Sequence, residues 1–104
     1  MICGIILAAG EGKRMGKVKL TLPLGDKQLI EWVLQAAKLT PLDKYFLVVR
    51  PEDKEIIRTG KKWGAEIVLN SEYRSGMSSS IRKALHQISS DELEGFFVLL
   101  ATSP

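Results

Sequence analysis

The sequence has little of what marks a secreted or membrane-spanning protein. Its 104 residues include a single cysteine, Cys3, so no disulfide can form within the chain. No stretch reaches the roughly 18 consecutive apolar residues of a transmembrane helix. The N-terminal segment also lacks the basic region of a signal peptide. These absences favour a cytoplasmic protein without a membrane partner, in which Cys3 is a small buried residue of the first strand.

An excess of charge of one sign is also missing, except in one segment. The formal net charge is +3. Residues 1–27 carry five lysines and arginines against two acidic residues, whereas residues 28–104 carry ten of each. The excess lies around four cations, Lys13, Arg14, Lys17 and Lys19. It predicts a small anionic ligand and argues against a nucleic-acid-binding protein, which needs a broader basic face.

The hydrophobic pattern predicts one α/β domain over residues 1–104. Apolar runs rich in β-branched residues predict buried strands at Ile2–Ala8, Tyr45–Val49, Ala65–Leu69 and Phe96–Ala101. Helical spacing predicts helices at Lys27–Lys38, Pro51–Trp63 and Met77–Ile88. Right-handed crossovers then give a Rossmann-like three-layer sandwich with a parallel sheet of strand order 3-2-1-4. A ligand is expected beyond the carboxyl ends of strands 1 and 4, where the winding direction reverses.

A glycine-rich basic loop follows the first strand, which is where a phosphate group would bind. Gly10, Gly12 and Gly16 let the backbone approach an anion closely. The loop is not a Walker A motif, because the position of its first glycine is occupied by Leu7. The dinucleotide fingerprint also fits poorly, because Met15 stands where its third glycine should be. A further mismatch is Arg50, which follows strand 2 where an acidic ribose partner is expected.

Two segments carry a resemblance to a known family. The stretch Leu7–Gly16, Leu-Ala-Ala-Gly-Glu-Gly-Lys-Arg-Met-Gly, with Lys19 and then Leu22-Pro23-Leu24, resembles the signature of the MobA-like nucleotidyltransferases. The stretch Asn70–Ile81, with Gly76-Met77 followed by serines, resembles an element of the molybdenum cofactor cytidylyltransferase branch. The Ala-Ala-Gly form of the loop favours that branch over the guanylyltransferases. The resemblance implies the N-terminal, nucleotide-binding part of such a domain.

The resemblance also implies a reaction and a set of site residues. An acceptor phosphate, such as that of molybdopterin, would attack a nucleoside triphosphate, CTP or GTP with CTP favoured, and pyrophosphate would be released. Arg14 and Lys19 would be the catalytic cations, whereas Lys13 and Lys17 are expected to be solvated. The predicted nucleotide-binding residues lie in the two resembling segments: Leu7, Ala8, Ala9, Gly10, Gly12, Gly16, Gly76, Ser79 and Ser80.

One position departs from the family's pattern. The family uses Mg²⁺, anchored by an aspartate after strand 4, but Thr102 occupies that position here and Ala101 replaces a glycine. A neutral hydroxyl is a poor ligand for this hard dication. The chain also spans about half of the family's usual length. We therefore expect these 104 residues to be inactive alone. Two alternatives stay open: a non-catalytic nucleotide- or phosphate-binding module, and a guanylyl- or sugar-phosphate nucleotidyltransferase.

The composition of strand 4 predicts self-association. Its six residues, Phe96–Ala101, are apolar and include no charge and no proline. At the edge of a 3-2-1-4 sheet, such a strand would offer unpaired backbone groups and bare apolar flanks. We expect a homodimer or larger assembly through this strand.

Overall fold

The computed structural model describes residues 2–8, 23–72, 77–88 and 95–100. The elements in these ranges are, in chain order, β1 (Ile2–Leu7), β2 (Pro23–Leu24), β3 (Lys27–Gln28), α1 (Leu29–Leu39), β4 (Lys44–Val49), α2 (Lys54–Lys62), β5 (Glu66–Leu69), α3 (Met77–Gln87) and β6 (Gly95–Leu100). No helix in these ranges is long and apolar enough to cross a membrane.

The main sheet has four parallel strands in the order β5-β4-β1-β6. In the numbering of the four predicted strands this is the expected order 3-2-1-4, so the predicted topology is confirmed. β1 is central, which agrees with its continuous burial from Cys3 to Leu7. The strands pair in register, with Leu7 opposite Val48 on one side and Leu100 on the other.

Two hydrophobic clusters show that helices cover both faces of the sheet. On one face, Ile30 and Leu34 of α1 pack with Ile6 and Leu47, and α2 contributes Ile56. On the other face, Ala84 of α3 and Ile88, which directly follows α3, pack with alternate strand residues: Ile5, Phe46 and Val48. Alternation along the strands thus divides the core into two layers, and the predicted three-layer sandwich is confirmed.

The predicted start of the first helix was wrong by two residues. Lys27 and Gln28 do not join α1. They form β3, which pairs antiparallel with Pro23 and Leu24 of β2. The connecting loop has two residues and begins with Gly25 at a φ of 71°, a conformation that glycine adopts without steric cost. The hairpin therefore takes up Lys27 and Gln28, and the helix begins only at Leu29.

The second helix also starts later than predicted. Pro51 and Glu52 lie in a turn, and α2 begins at Lys54. The turn is closed by Arg50, whose carbonyl accepts the Asp53 N–H at 3.0 Å. Its guanidinium also binds the Asp53 carboxylate through two contacts of 2.8 Å. The predicted end is confirmed, because Gly64 follows α2 with a φ of 85°, as expected for a helix C-terminus.

Candidate functional site

The site predicted from the sequence lies where the central strand ends. Beyond β1, the Ala8 N–H donates to the Val48 carbonyl at 2.8 Å, which extends the ladder by one residue. The side chains of Leu7 and Ala8 are 6% and 4% exposed and pack into opposite clusters. They are therefore committed to the core. Any contact of these two residues with a nucleotide must come from their backbone.

The connections of β1 place a crevice at this carboxyl edge. From β1 the chain passes through α1 to β4 on one side of it, and after β5 it passes through α3 to β6 on the other side. α1 and α3 lie on opposite faces of the sheet. The winding therefore reverses between β1 and β6, as expected, and ligands of open α/β sheets bind at such switch points.

The first turn of α3 carries two of the predicted site residues. Ser79 and Ser80 are 1% and 5% exposed. Both hydroxyl oxygens accept hydrogen bonds from the Nδ2 of Asn70, each at 3.0 Å. Ser79 also donates to the Glu72 carbonyl at 3.0 Å. The two serines are thus fixed in position at the N-terminal end of α3, where the helix dipole favours electron-rich ligand atoms.

Asn70 is the site residue that sequence reasoning missed. It directly follows β5 and is fully buried. Its backbone N–H donates to the Val49 carbonyl at 2.9 Å, and its Oδ1 accepts the Glu72 N–H at 2.9 Å. The sequence analysis placed Asn70 in a loop and in the second resembling stretch, Asn70–Ile81, but did not name it as a site residue. An asparagine after a strand, two residues before the N–H that it caps, is a signal of an Asx turn that could have singled it out.

Most of the predicted site lies outside the described residues. These residues belong to the glycine-rich loop, to the segment before α3 and to the position that departs from the family's pattern. They are Ala9, Gly10, Gly12, Arg14, Gly16, Lys19, Gly76 and Thr102. Their roles stay predictions. What the structure brings to the carboxyl edge is Leu7, Ala8 and the Asn70, Ser79 and Ser80 cluster.

Two further side chains, Arg50 after β4 and Cys3 in β1, have structural contacts. The Arg50 guanidinium is bound side-on by the Asp53 carboxylate. The residue that follows β4 is thus a base engaged within its own turn, whereas a dinucleotide site would need an acidic ribose partner there. Cys3 is fully buried in β1, and burial raises the pKa of its thiol. The burial confirms the prediction that Cys3 is a core residue. The raised pKa also disfavours the thiolate, which is the reactive form of a cysteine.

A separate cleft of about 450 Å³ opens between the hairpin, α1 and α2. Its charged lining is balanced: the basic side chains are Lys27, Arg58 and Lys62, and the acidic ones are Asp26, Glu31 and Glu55. Several of these pair with each other, such as Lys62 with Glu31 at 3.8 Å. Because the cleft has no net charge to attract a triphosphate, it is a weaker candidate than the edge of β1.

Metal ligands are not gathered in the part of the chain that the structure describes. No group of three or more His, Cys, Asp or Glu side chains there could hold a metal ion. These residues therefore do not themselves fit a protein-bound Mg²⁺. Thr102, at the position where the family's pattern has aspartate, is not among them.

Comparisons with known proteins agree with this architecture. The chain is 32% identical over 114 residues to the purine catabolism protein PucB of Bacillus subtilis, a match that covers 99% of this chain and 54% of PucB. It is 42% identical over 57 residues to a 2-C-methyl-D-erythritol 4-phosphate cytidylyltransferase of Gloeobacter violaceus, covering 52% and 24% of the two chains. The chain thus spans about half the length of the first relative and less of the second.

A solved structure shows the same fold. It is the crystal structure of Rv0371C from Mycobacterium tuberculosis in complex with manganese, which superposes with a TM-score of 0.74 at 24% identity. The superposition covers 96% of this chain and 50% of that one. The sequence profile of the MobA-like NTP transferase domain matches residues 4–102. On this match, the chain belongs to the family of MobA-like NTP transferase domains.

Proposed function

We propose that residues 1–104 form the nucleotide-binding, N-terminal part of a nucleotidyltransferase domain. The domain would bind a nucleoside triphosphate and transfer its nucleoside monophosphate to a phosphorylated small molecule. The observation that carries the proposal is the family match over residues 4–102. The geometry supports it, because the segment with the family signature leaves the central strand at the switch point between β1 and β6.

In the proposed reaction an oxygen of the acceptor phosphate attacks the α-phosphorus of the triphosphate. The bond from that phosphorus to the bridging oxygen breaks, and the electron pair leaves with pyrophosphate. The protein contributes positioning and charge neutralisation. The backbone of Leu7 and Ala8 would support the nucleotide at the end of β1. Arg14 and Lys19 would bind phosphate oxygens, Arg14 by a two-pronged contact and Lys19 as a compact charge.

The finer assignment is CTP as the nucleotide and a pterin phosphate such as molybdopterin as the acceptor. It is supported by the Ala-Ala-Gly form of the loop and by the Gly76-Met77 element with its serines. The match to a cytidylyltransferase is in keeping with CTP. A guanylyl- or sugar-phosphate nucleotidyltransferase is the second candidate.

A divalent cation, Mg²⁺ by the resemblance, would neutralise phosphate charge when the nucleotide is bound. The described residues offer no cluster of ligands for it. Rv0371C was solved with manganese. We propose that this chain binds the nucleotide without transferring it, since Thr102 occupies the position of the family's metal-binding aspartate.

We also propose that the protein works in the cytoplasm and self-associates through β6. Three side chains of this strand are well exposed: Phe96 by 42%, Phe97 by 60% and Val98 by 37%. Among the described strands β6 pairs with β1 alone. A second copy could supply both a strand partner and apolar cover.

Calorimetric titration with CTP and GTP tests the nucleotide site. We expect CTP to bind and Lys19→Ala to weaken it by about 1.5–3 kcal/mol, the usual value of a charge-assisted hydrogen bond. The matched control is Lys17→Ala, which removes the same charge from the same segment and should change the affinity much less. Absence of heat with either nucleotide on folded protein would contradict the proposal. Pyrophosphate release with CTP, Mg²⁺ and a pterin phosphate would show instead that Thr102 does not prevent transfer.

A further inference from the structure

The cleft between the hairpin, α1 and α2 is preformed, because contacts within the fold hold its walls. Trp32 of α1 donates its indole N–H to the Leu24 carbonyl of the hairpin at 2.6 Å, and the Lys27 Nζ lies 4.7 Å from the centre of the same ring. At the end of the hairpin, the Gln28 Nε2 donates to the Glu55 Oε1 of α2 at 2.8 Å. The volume of the cleft, about 450 Å³, lies within the range of small-molecule sites.

Two ion pairs account for four of the six charged side chains that line the cleft. The Lys62 ammonium group lies 3.8 Å from the Glu31 carboxylate, and the Lys27 ammonium group lies 3.6 Å from the Asp26 carboxylate. The Glu31 oxygens also accept hydrogen bonds from a backbone N–H and from an indole N–H. The charges of these four side chains therefore offset each other within the walls of the cleft.

The remaining two charged side chains of the lining have opposite signs and do not pair with each other. They are Arg58 and Glu55, which lie three residues apart on α2 and are both exposed. Among the described residues, no carboxylate lies within ion-pair distance of the Arg58 guanidinium. One oxygen of Glu55 accepts the Gln28 side chain, and no described residue donates to the other oxygen. Because side chains three residues apart on a helix are neighbours, one small molecule can contact both groups.

We infer that this cleft binds a zwitterion, an α-amino acid, whose carboxylate lies on Arg58 and whose ammonium group lies on Glu55. The planar guanidinium can donate two parallel hydrogen bonds to a carboxylate, and the second oxygen of Glu55 can accept one from an ammonium group. A phosphate ester would bring two charges against a single unpaired cation, and a simple carboxylate would leave Glu55 without a partner. The inference goes beyond the proposed function, because none of the residues that line the cleft belongs to β1.

Nitrogen–proton NMR with L-alanine as the probe tests the inference. The Arg58 side-chain Nε–H and the backbone amides of residues 55–59 should shift saturably as L-alanine is added at constant ionic strength. Acetate and methylammonium each carry one of the two charges, so each should bind roughly tenfold more weakly, the effect of losing one charge-assisted hydrogen bond. Absence of a saturable shift at these residues would overturn the inference. Acetate that binds as tightly as L-alanine would overturn the contact with Glu55.

Two variants on α2 separate the two contacts. Arg58→Gln should weaken the binding of both L-alanine and acetate roughly tenfold. Glu55→Gln keeps an acceptor for Gln28 and removes only the charge, so L-alanine should then bind no more tightly than acetate. The matched control is Lys54→Gln, because Lys54 is exposed on the same helix and does not line the cleft. Its replacement should leave the affinity for L-alanine unchanged, and equal losses in Arg58→Gln and Lys54→Gln would overturn the site as a general effect of charge.

The titration contains no nucleotide, so its outcome does not depend on the proposed function. Binding of L-alanine without binding of CTP would support the cleft and contradict the nucleotide site alone. Binding of CTP without a saturable shift from L-alanine would contradict the cleft alone. Because the substituted side chains are exposed, each variant should keep a Tm close to that of the wild type, and a lost shift then reports lost binding.

Discussion

Glu31 is the side chain that joins the two helices on one face of the sheet. Its Oε1 accepts the backbone N–H of Gln28 at 3.1 Å, at the start of α1. Its Oε2 accepts the indole Nε1–H of Trp63 at 3.1 Å, just after α2, and lies 3.8 Å from the ammonium group of Lys62. These contacts, the Gln28 N–H first and the indole next, hold the pKa of Glu31 below its ordinary value. The ionised carboxylate is thus favoured in the folded protein.

Glu31→Gln should lower the Tm by a few degrees at neutral pH, with a pH dependence that identifies the cause. A carboxyl group with a lowered folded pKa stabilises the protein above its unfolded pKa, about 4.3 for glutamate. That contribution is lost as the pH falls through the folded pKa. The difference between wild type and variant should therefore be full at pH 6–7 and shrink below about pH 4. Thermal unfolding across this range measures it.

The control for this prediction is Glu55→Gln. Glu55 is exposed and accepts one hydrogen bond from the Gln28 side chain at 2.8 Å, so its replacement should have a smaller effect. An equal loss of Tm in both variants, or a difference that stays constant down to pH 3, would contradict the role given to Glu31.

Glu31 and Asn70 also show which residues the sequence leaves hidden. Both act through polar contacts with residues of other segments, such as Glu31 with Trp63 and Asn70 with Ser79 and Ser80. The spacing of apolar residues indicates which side of a helix or strand faces the core, but it does not indicate which polar side chains will meet. The serines could be singled out because a family motif contains them. The asparagine that holds them was not singled out, although its place directly after a strand is a signal of an Asx turn.

At the scale of elements, α2 depends on a glycine inside its helical span. Gly60 is buried where α2 crosses the sheet. A Cβ at this position would lie 2.6 Å from the Leu47 Cδ2 and 2.9 Å from the Ile67 Cδ1. These distances are far shorter than van der Waals contact, and Leu47 is fully buried. Because it has no side chain, Gly60 lets α2 pack closely against β4 and β5.

Gly60→Val should destabilise the protein by about 1–3 kcal/mol, the usual cost of overpacking a close-packed core. The control is Gly95→Val in β6, where a Cβ would meet no described atom within 4 Å, and where a β-branched residue suits a strand. Urea unfolding of both variants gives the comparison. A Gly60→Val protein as stable as Gly95→Val would mean that α2 can move outward without loss.

The helices and strands that could be predicted are those whose apolar residues are spaced to face the core. Each of the four main strands matches its predicted range to within one residue at either end, because β1 and β4 are continuous buried runs. The errors fall where hydrogen-bonded turns replace the first helical turn. Lys27 and Gln28 join a hairpin, and the contact of Arg50 with Asp53 delays α2. Neither contact can be recognised from the spacing of apolar residues in the sequence.

At the scale of the whole molecule, the core covers the sheet unevenly. The two buried clusters are built on β1, β4 and β5 with the three helices, and the described side chains of β6, Phe96, Phe97 and Val98, are exposed and belong to neither. In register, Phe96 and Val98 lie opposite Cys3 and Ile5, and Phe97 lies opposite Gly4. Because alternate residues face opposite sides of a sheet, β6 exposes apolar side chains on both faces. Such exposure at a sheet edge favours association with another chain.

Val98→Lys should therefore shift the protein from an assembly to a monomer, or lower its solubility if the monomer is unstable. A charge on the flank of β6 would have to lose water in the interface, and two copies of it would repel each other. The matched control is Leu69→Lys on β5, at the other edge of the sheet, where the leucine is 51% exposed. Light scattering at about 100 µM, a concentration at which even a micromolar interface is occupied, measures the mass. A monomeric wild type would contradict the proposed assembly. An assembly that Leu69→Lys disrupts and Val98→Lys preserves would move the interface to β5.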